Sequence, residues 1–186
     1  MAKLNEKNER TEKIIHLMIT DKCNRKCPLC CNNQYDINDV DFVTDEELKN
    51  AECIFLTGGE PFAYEEPCLI AWELRQKYPN IKYIYVYTNA LELYEYLHKG
   101  KELYAIDEVT ISIKNECDYK IFINELADNE EIIKLDSNWI YTFPGFNDID
   151  NYYSKKYFTR RDREWQVDFV PDQNSIFRRW RRYNEC

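Results

Sequence analysis

Cys23, Cys27 and Cys30 are spaced C-x3-C-x2-C, and Cys31 follows at once, so four of the chain's eight cysteines crowd one short stretch. Zinc usually takes its ligands from two C-x2-C-type pairs. No second pair follows here, because Cys53, Cys68, Cys117 and Cys186 stand alone. Three close thiols without an evident fourth suit a four-iron cluster whose last iron stays open to another ligand. Pro28 and the cations Lys22, Arg25 and Lys26 suit a tight loop around anionic sulfur, since nearby positive charge favours thiolate. A second stretch, LTGGEP at residues 56–61, could also do chemistry. Gly58 and Gly59 let a ligand approach the backbone closely, and Glu60 offers a carboxylate to a cation such as an amino group.

These loops need elements to hold them. Short β-branched and aromatic runs at residues 14–20, 53–57, 82–88, 108–113, 138–143 and 165–170 read as strands. Between them, Thr44 and Glu47 have the spacing of a capping box that opens a helix. Residues 65–78 pair Leu69 with Trp72 and Ile70 with Leu74 at helical spacing before Pro79. A helix over residues 91–99 ends at Gly100. A fourth is expected over 119–134, a more polar fifth around 150–163, and a short last one in SIFRRWRRY, where Phe177 and Trp180 would close the sheet's open edge. Strand starts recur every ~26 to 39 residues, the length of a βα unit that returns to a parallel neighbour. Six such units predict an α/β fold with a parallel sheet, either doubly wound or a partial barrel. Both place functional loops at the C-terminal ends of the strands, and the cysteine loop follows the first strand directly.

Residues 1–13 are charged and aperiodic and are expected to form a flexible tail, leaving 14–186 as a single domain. The sum of 25 basic and 34 acidic residues gives a net charge of −9, which disfavours nucleic acid and anionic membranes as partners. The absence of an apolar span or signal core predicts a cytoplasmic protein with reduced thiols.

The two motifs together resemble the radical S-adenosylmethionine (radical SAM) superfamily. The resemblance covers residues 14–171 in architecture and implies a partial (β/α)6 barrel. It implies that Cys23, Cys27 and Cys30 ligate an oxygen-sensitive [4Fe-4S] cluster, and that S-adenosylmethionine completes the fourth iron, its amino group held by Gly58, Gly59 and Glu60. Leu29 stands where the family often places an aromatic near the adenine. CCN, with Asn32, looks like the CHN of glycyl-radical activating enzymes, Cys31 replacing the histidine. YTNA, with Asn89, is similar to a TNG motif after the third strand, and Ser112 and Lys114 match positions that often contact the cofactor's ribose or carboxylate. The glycine-rich motif that many members carry at strand five is not evident here. The resemblance further implies reductive cleavage of S-adenosylmethionine to a 5′-deoxyadenosyl radical, which abstracts a hydrogen from a peptide, protein or small molecule. It also implies an electron donor such as flavodoxin or ferredoxin.

Other residues read more plainly. Cys31 is best taken as a bystander thiol, Cys53 and Cys68 as core packing, and His16 as a hydrogen-bonded histidine within its strand. His98, close to the end of its helix, complements the dipole. Arg178, Arg179, Arg181 and Arg182 could grip a phosphate, but the acidity of the whole chain favours a structural role. The contrasting functional class is a non-catalytic iron-sulfur or zinc protein that transfers electrons or scaffolds a complex, in which case the GGE motif is coincidental.

Overall fold

The computed structural model describes residues 13–27, 30–33, 36–146, 157–164 and 175–181. Seven parallel strands form one sheet: β1 (Ile14–Thr20), β2 (Cys53–Gly58), β3 (Tyr83–Asn89), β4 (Glu108–Ile113), β5 (Ser137–Thr142), β6 (Thr159–Asp162) and β7 (Ser175–Arg179). Their order is β6-β5-β4-β3-β2-β1-β7. From β1 to β6 each strand lies beside its predecessor, so the chain winds steadily in one direction. Right-handed crossovers then put successive helices on one face, as in a barrel, whereas a doubly wound sheet reverses at a switch point. β7 returns to the other side of β1, and the described edges of the sheet are β6 and β7.

Alternation sorts the strand residues onto two faces. Ile15, Leu17, Ile54, Leu56, Ile84, Val86, Val109, Ile111 and Ile140 are fully buried on the helical side. There they join a core with Leu48, Ala71, Leu74, Leu93, Phe122, Leu126 and Ile132. Each such aliphatic side chain contributes about 1.5–3 kcal/mol by leaving water. The opposite face carries His16, Phe55, Tyr85, Tyr87 and Tyr141, all only half-buried.

The helices are α1 (Asp45–Asn50), α2 (Pro61–Tyr64), α3 (Pro67–Lys77), α4 (Ala90–His98), α5 (Glu116–Ile121) and α6 (Glu130–Ile133). Thr44 caps α1 by a complete capping box: its hydroxyl accepts from the Glu47 amide, and Glu47 accepts from the Thr44 amide. Thr44→Ala should therefore cost about 1 kcal/mol in a denaturant melt.

Three expectations need correction. The helix expected over 119–134 is broken: a wide turn, Phe122–Leu126, closed by the Ala127 amide on the Phe122 carbonyl, separates α5 from α6, which Asn129 caps anew. Fully buried Phe122 packs edge-on against Phe158 at this point, 5.1 Å between centroids. Within the helix expected around 150–163, residues 159–162 form β6 instead, and the C-terminal SIFRR forms β7 rather than a helix. Helix α3 forms where the spacing places it; its core side is carried by Cys68, Ile70, Ala71 and Leu74, while Leu69 and Trp72 are 43% and 47% exposed. The strand expected at 165–170 and the tail at 1–12 lie outside the described residues. Among the described residues, no helix is long and apolar enough to cross a membrane.

Candidate functional site at the C-terminal end of the sheet

The site is built where the chain leaves β1. The β1–β2 register slips between Met18 and Thr20, a bulge that turns the following residues toward the end of β2. Two main-chain hydrogen bonds then clasp the strands: the Gly59 amide donates to the Thr20 carbonyl and the Glu60 amide to the Lys22 carbonyl, each at 2.8 Å. Only glycine fits this clasp. A Cβ on Gly58 would stand 2.0 Å from the Thr20 carbonyl oxygen, with φ at +132°, and one on Gly59 would stand 1.9 Å from that of Lys22. The close approach that these glycines permit is thus made first by the chain's own cysteine loop.

Glu60 is turned inward and is only 3% exposed. One carboxylate oxygen accepts from the Thr88 hydroxyl at 2.6 Å and the Phe62 amide at 3.4 Å. The other accepts from the Asn89 main chain at 2.9 Å and from its side-chain amide at 2.6 Å. Both oxygens are fully engaged, so an amine binding Glu60 directly would have to replace one of these donors. Burial raises the carboxyl to about 7, against the pull of the Thr88 hydroxyl and the Asn89 and Phe62 amides. A raised pKa means the folded protein holds a proton that the unfolded chain has released. The contribution of Glu60 to stability should therefore fall by roughly 3 kcal/mol as pH climbs from 4.5 to about 7, then level off. Melts of wild type and Glu60→Gln across that window check it, the variant showing the flatter profile.

Asn89 carries the network to the cysteine loop. It caps α4 by accepting from the Glu92 amide at 3.1 Å and donates to the Asn24 carbonyl oxygen at 3.2 Å, while the Asn24 amide donates to Glu92. Beyond the end of β4, Arg25 Nη2 of the loop meets Asp118 Oδ1 of α5 at 2.5 Å. Asp118 is fully buried; burial raises its carboxyl while Arg25 and the Lys114 amide lower it. Arg25 is thus committed to a carboxylate on α5. Arg25→Met should cost roughly 3–5 kcal/mol by leaving that carboxylate unpaired, and Asp118→Asn in the same chain should recover part of it in a thermal melt. Asn32 ties the far side of the loop, donating to the Gly58 carbonyl at 2.9 Å.

The loop is therefore anchored to the ends of β2, β3 and β4, with its thiols on the outside. Cys23 is exposed, and Cys27 and Cys30 are half-buried. Burial raises the Cys23 thiol most; the Arg25 amide lowers it, and the charges of Glu60, Cys27 and Cys30 raise it further. Among the described residues, no three His, Cys, Asp or Glu side chains stand close enough together to hold a metal ion. The donor set, three partly exposed thiols on one loop, has the chemistry of a thiolate-ligated cluster. Leu29 lies outside the described residues, as does the side chain of Cys31, whose backbone opens a short turn, Cys31–Asn33.

Ser112 is half-buried and aligned between Asn89 and Tyr141 in the sheet register. Lys114 follows β4, with its Nζ 5.6 Å from the centre of the Phe143 ring. Beneath them the open face of the sheet is aromatic. His16 stacks on Phe55 at 4.8 Å and 9°, Phe55 on Tyr87 at 5.4 Å and 14°, and Tyr87 lies 6.1 Å from Tyr141. Burial and a hydrogen bond with Tyr141 push the Tyr87 phenol well above its ordinary range. Thr88, Glu92, Asp118 and Asn24 are members of this site that the sequence reading passed over. Asn89 and Glu92 do repeat the cap spacing of Thr44 and Glu47, a signal that could have placed two residues of the network.

No protein-family model matches the chain, and no solved structure matches it significantly. Among curated proteins it is similar to one from Methanocaldococcus jannaschii described as a "Putative glycyl-radical enzyme activating enzyme". The two are 34% identical over 120 residues, which cover 59% of this chain and 48% of the relative, so the chain spans about half the length of the protein it matches.

Proposed function

We propose that this chain is a radical SAM enzyme whose substrate is a protein. The observation that carries the reading is the clasp: two motifs a full βα unit apart in sequence are one structural unit at the C-terminal end of a singly wound parallel sheet. The name of the archaeal relative supports both the class and the protein substrate.

In this reading Cys23, Cys27 and Cys30 hold a [4Fe-4S] cluster beside S-adenosylmethionine. When bound and reduced, the cluster supplies the single electron for cleaving the sulfonium to give a 5′-deoxyadenosyl radical. The residues of the chain bind and position. Lys22 and Lys26 flank Cys23 and Cys27 in the chain with positive charge. Gly58 and Gly59 set the approach of the loop to β2, and Glu60 holds Asn89 and the Thr88 hydroxyl in place behind it. Asn32, Ser112 and Lys114 would contact the cofactor, the roles their motifs imply. The stacked rings of Phe55, Tyr87 and Tyr141 form an aromatic floor that would exclude water from a molecule bound over it.

Anaerobic reconstitution with iron and sulfide tests this reading. The protein should bind about four irons, and with dithionite and S-adenosylmethionine it should release 5′-deoxyadenosine and methionine. A four-iron protein that yields neither product, or a chain that takes up only zinc, overturns it.

A further inference from the structure

The lysines and arginines of the described residues divide into two groups by place. Most are paired with carboxylates: Lys13 and Lys82 with Glu52, Arg75 with Asp107, Lys101 with Glu66, Arg178 with Glu47. Apart from Lys99, those that form no ion pair among the described residues lie at the C-terminal end of the sheet. Beyond Lys22 and Lys26 of the cysteine loop and Lys114, they are Arg161 and Arg163 at β6 and Arg179 and Arg181 at β7. In a chain of net charge −9, arginines that form no ion pair among the described residues and gather at both edges of one sheet require an explanation.

Their side chains are held for presentation. The Arg163 guanidinium lies 4.4 Å from the centre of the Tyr141 ring, and those of Arg179 and Arg181 lie 4.2 and 4.8 Å from the centre of Phe42. Arg179 Nε is buried and makes no hydrogen bond. Stacking on rings orients a guanidinium while leaving its N–H fork unspent, the geometry that suits a carboxylate. Among the described residues the nearby acids do not neutralise them: Asp162 is taken by Arg160 and the Thr142 hydroxyl, and Asp41 and Glu164 are exposed and form no ion pair there.

We propose that these two edge pairs, Arg161 with Arg163 and Arg179 with Arg181, dock an acidic segment of the protein substrate and lead it onto the aromatic face. The proposal rests on the reading that the substrate is a protein. Like charges within each edge pair repel, and carboxylates laid along them supply a counter-charge that the described residues do not. A nucleic acid fits less well: guanidinium groups already cover the Phe42 and Tyr141 faces on which bases would stack, and the acidity of the whole chain repels a long polyanion.

The test is fluorescence anisotropy with the full chain, without cluster or cofactor, so that docking and radical chemistry are read separately. The probes are a labelled 12-residue peptide of alternating Asp and Glu, the same peptide with Asn and Gln, and a 12-nucleotide oligothymidine. The acidic peptide should bind at least tenfold more tightly than the neutral one, and more weakly as salt rises. Arg161→Gln with Arg163→Gln, and Arg179→Gln with Arg181→Gln, should each lower its affinity about tenfold with unchanged circular-dichroism melts. Lys99→Gln, which removes an unpaired cation elsewhere, should leave the affinity unchanged. Equal binding of the two peptides, tighter binding of oligothymidine, or indifference to both double variants overturns the proposal. Peptide binding without cleavage of S-adenosylmethionine in the reconstituted protein would leave docking standing and remove the radical SAM reading instead.

Discussion

Cys23→Ala, Cys27→Ala and Cys30→Ala should each abolish 5′-deoxyadenosine formation in the reconstituted protein while leaving the melting temperature within about 2 °C of wild type. The expectation follows from where the thiols sit. None belongs to the buried core, and Cys23 is exposed. The position of the loop depends instead on the main-chain clasp, on Asn24 and Asn32, and on the Arg25–Asp118 pair, none of which uses sulfur. A structural zinc site would behave oppositely, since the metal then supplies folding free energy and loss of a ligand unfolds its surroundings. Iron content and thermal melts on the same samples separate the outcomes. A variant that unfolds, or one that still makes 5′-deoxyadenosine, contradicts the assignment.

Gly59→Ala should lower stability by about 3 kcal/mol or more, equivalent to roughly 6–12 °C in melting temperature for a chain of this size. The added methyl would lie 1.9 Å from the Lys22 carbonyl oxygen and 2.4 Å from its carbon, and 2.9 Å from the Asp21 carbonyl oxygen. All three are main-chain atoms, so no side chain can swing aside. Relief requires breaking the Gly59–Thr20 and Glu60–Lys22 hydrogen bonds, which would free the cysteine loop as well. Gly100→Ala is the control. Its φ of +73° strains an alanine, but no atom lies within 4 Å of the added carbon, so the cost should stay near ~1 kcal/mol. Equal melting temperatures for the two variants would show that the clasp can yield.

The first five strands were legible in the sequence because each alternates an aliphatic with a polar or aromatic residue, as Ile84 and Val86 do between Tyr83, Tyr85 and Tyr87. The sequential strand order then decided for barrel-like winding over a doubly wound sheet, a choice that spacing alone left open. β6 and β7 were missed for a shared reason. TRRD and SIFRR are edge strands, where charge is favoured because it discourages further pairing, and charge-rich segments read as helix or loop. In α3, both pairs obey helical spacing, but only Ile70 and Leu74 face the core, since spacing gives a stripe and not its direction. At the site, the cysteine and glycine motifs stood out because each is contiguous. The Arg25–Asp118 pair joins residues 93 positions apart, and no local pattern announces such a contact.

The bonds that fasten the cysteine loop to β2 run from main chain to main chain, and Asp21 and Lys22 project into solvent. The frame of the loop is thus independent of the identity of those two residues. Charge at that corner can be rewritten by substitution without disturbing where the thiols stand, and in the proposed reading it would adjust the reduction potential of the cluster.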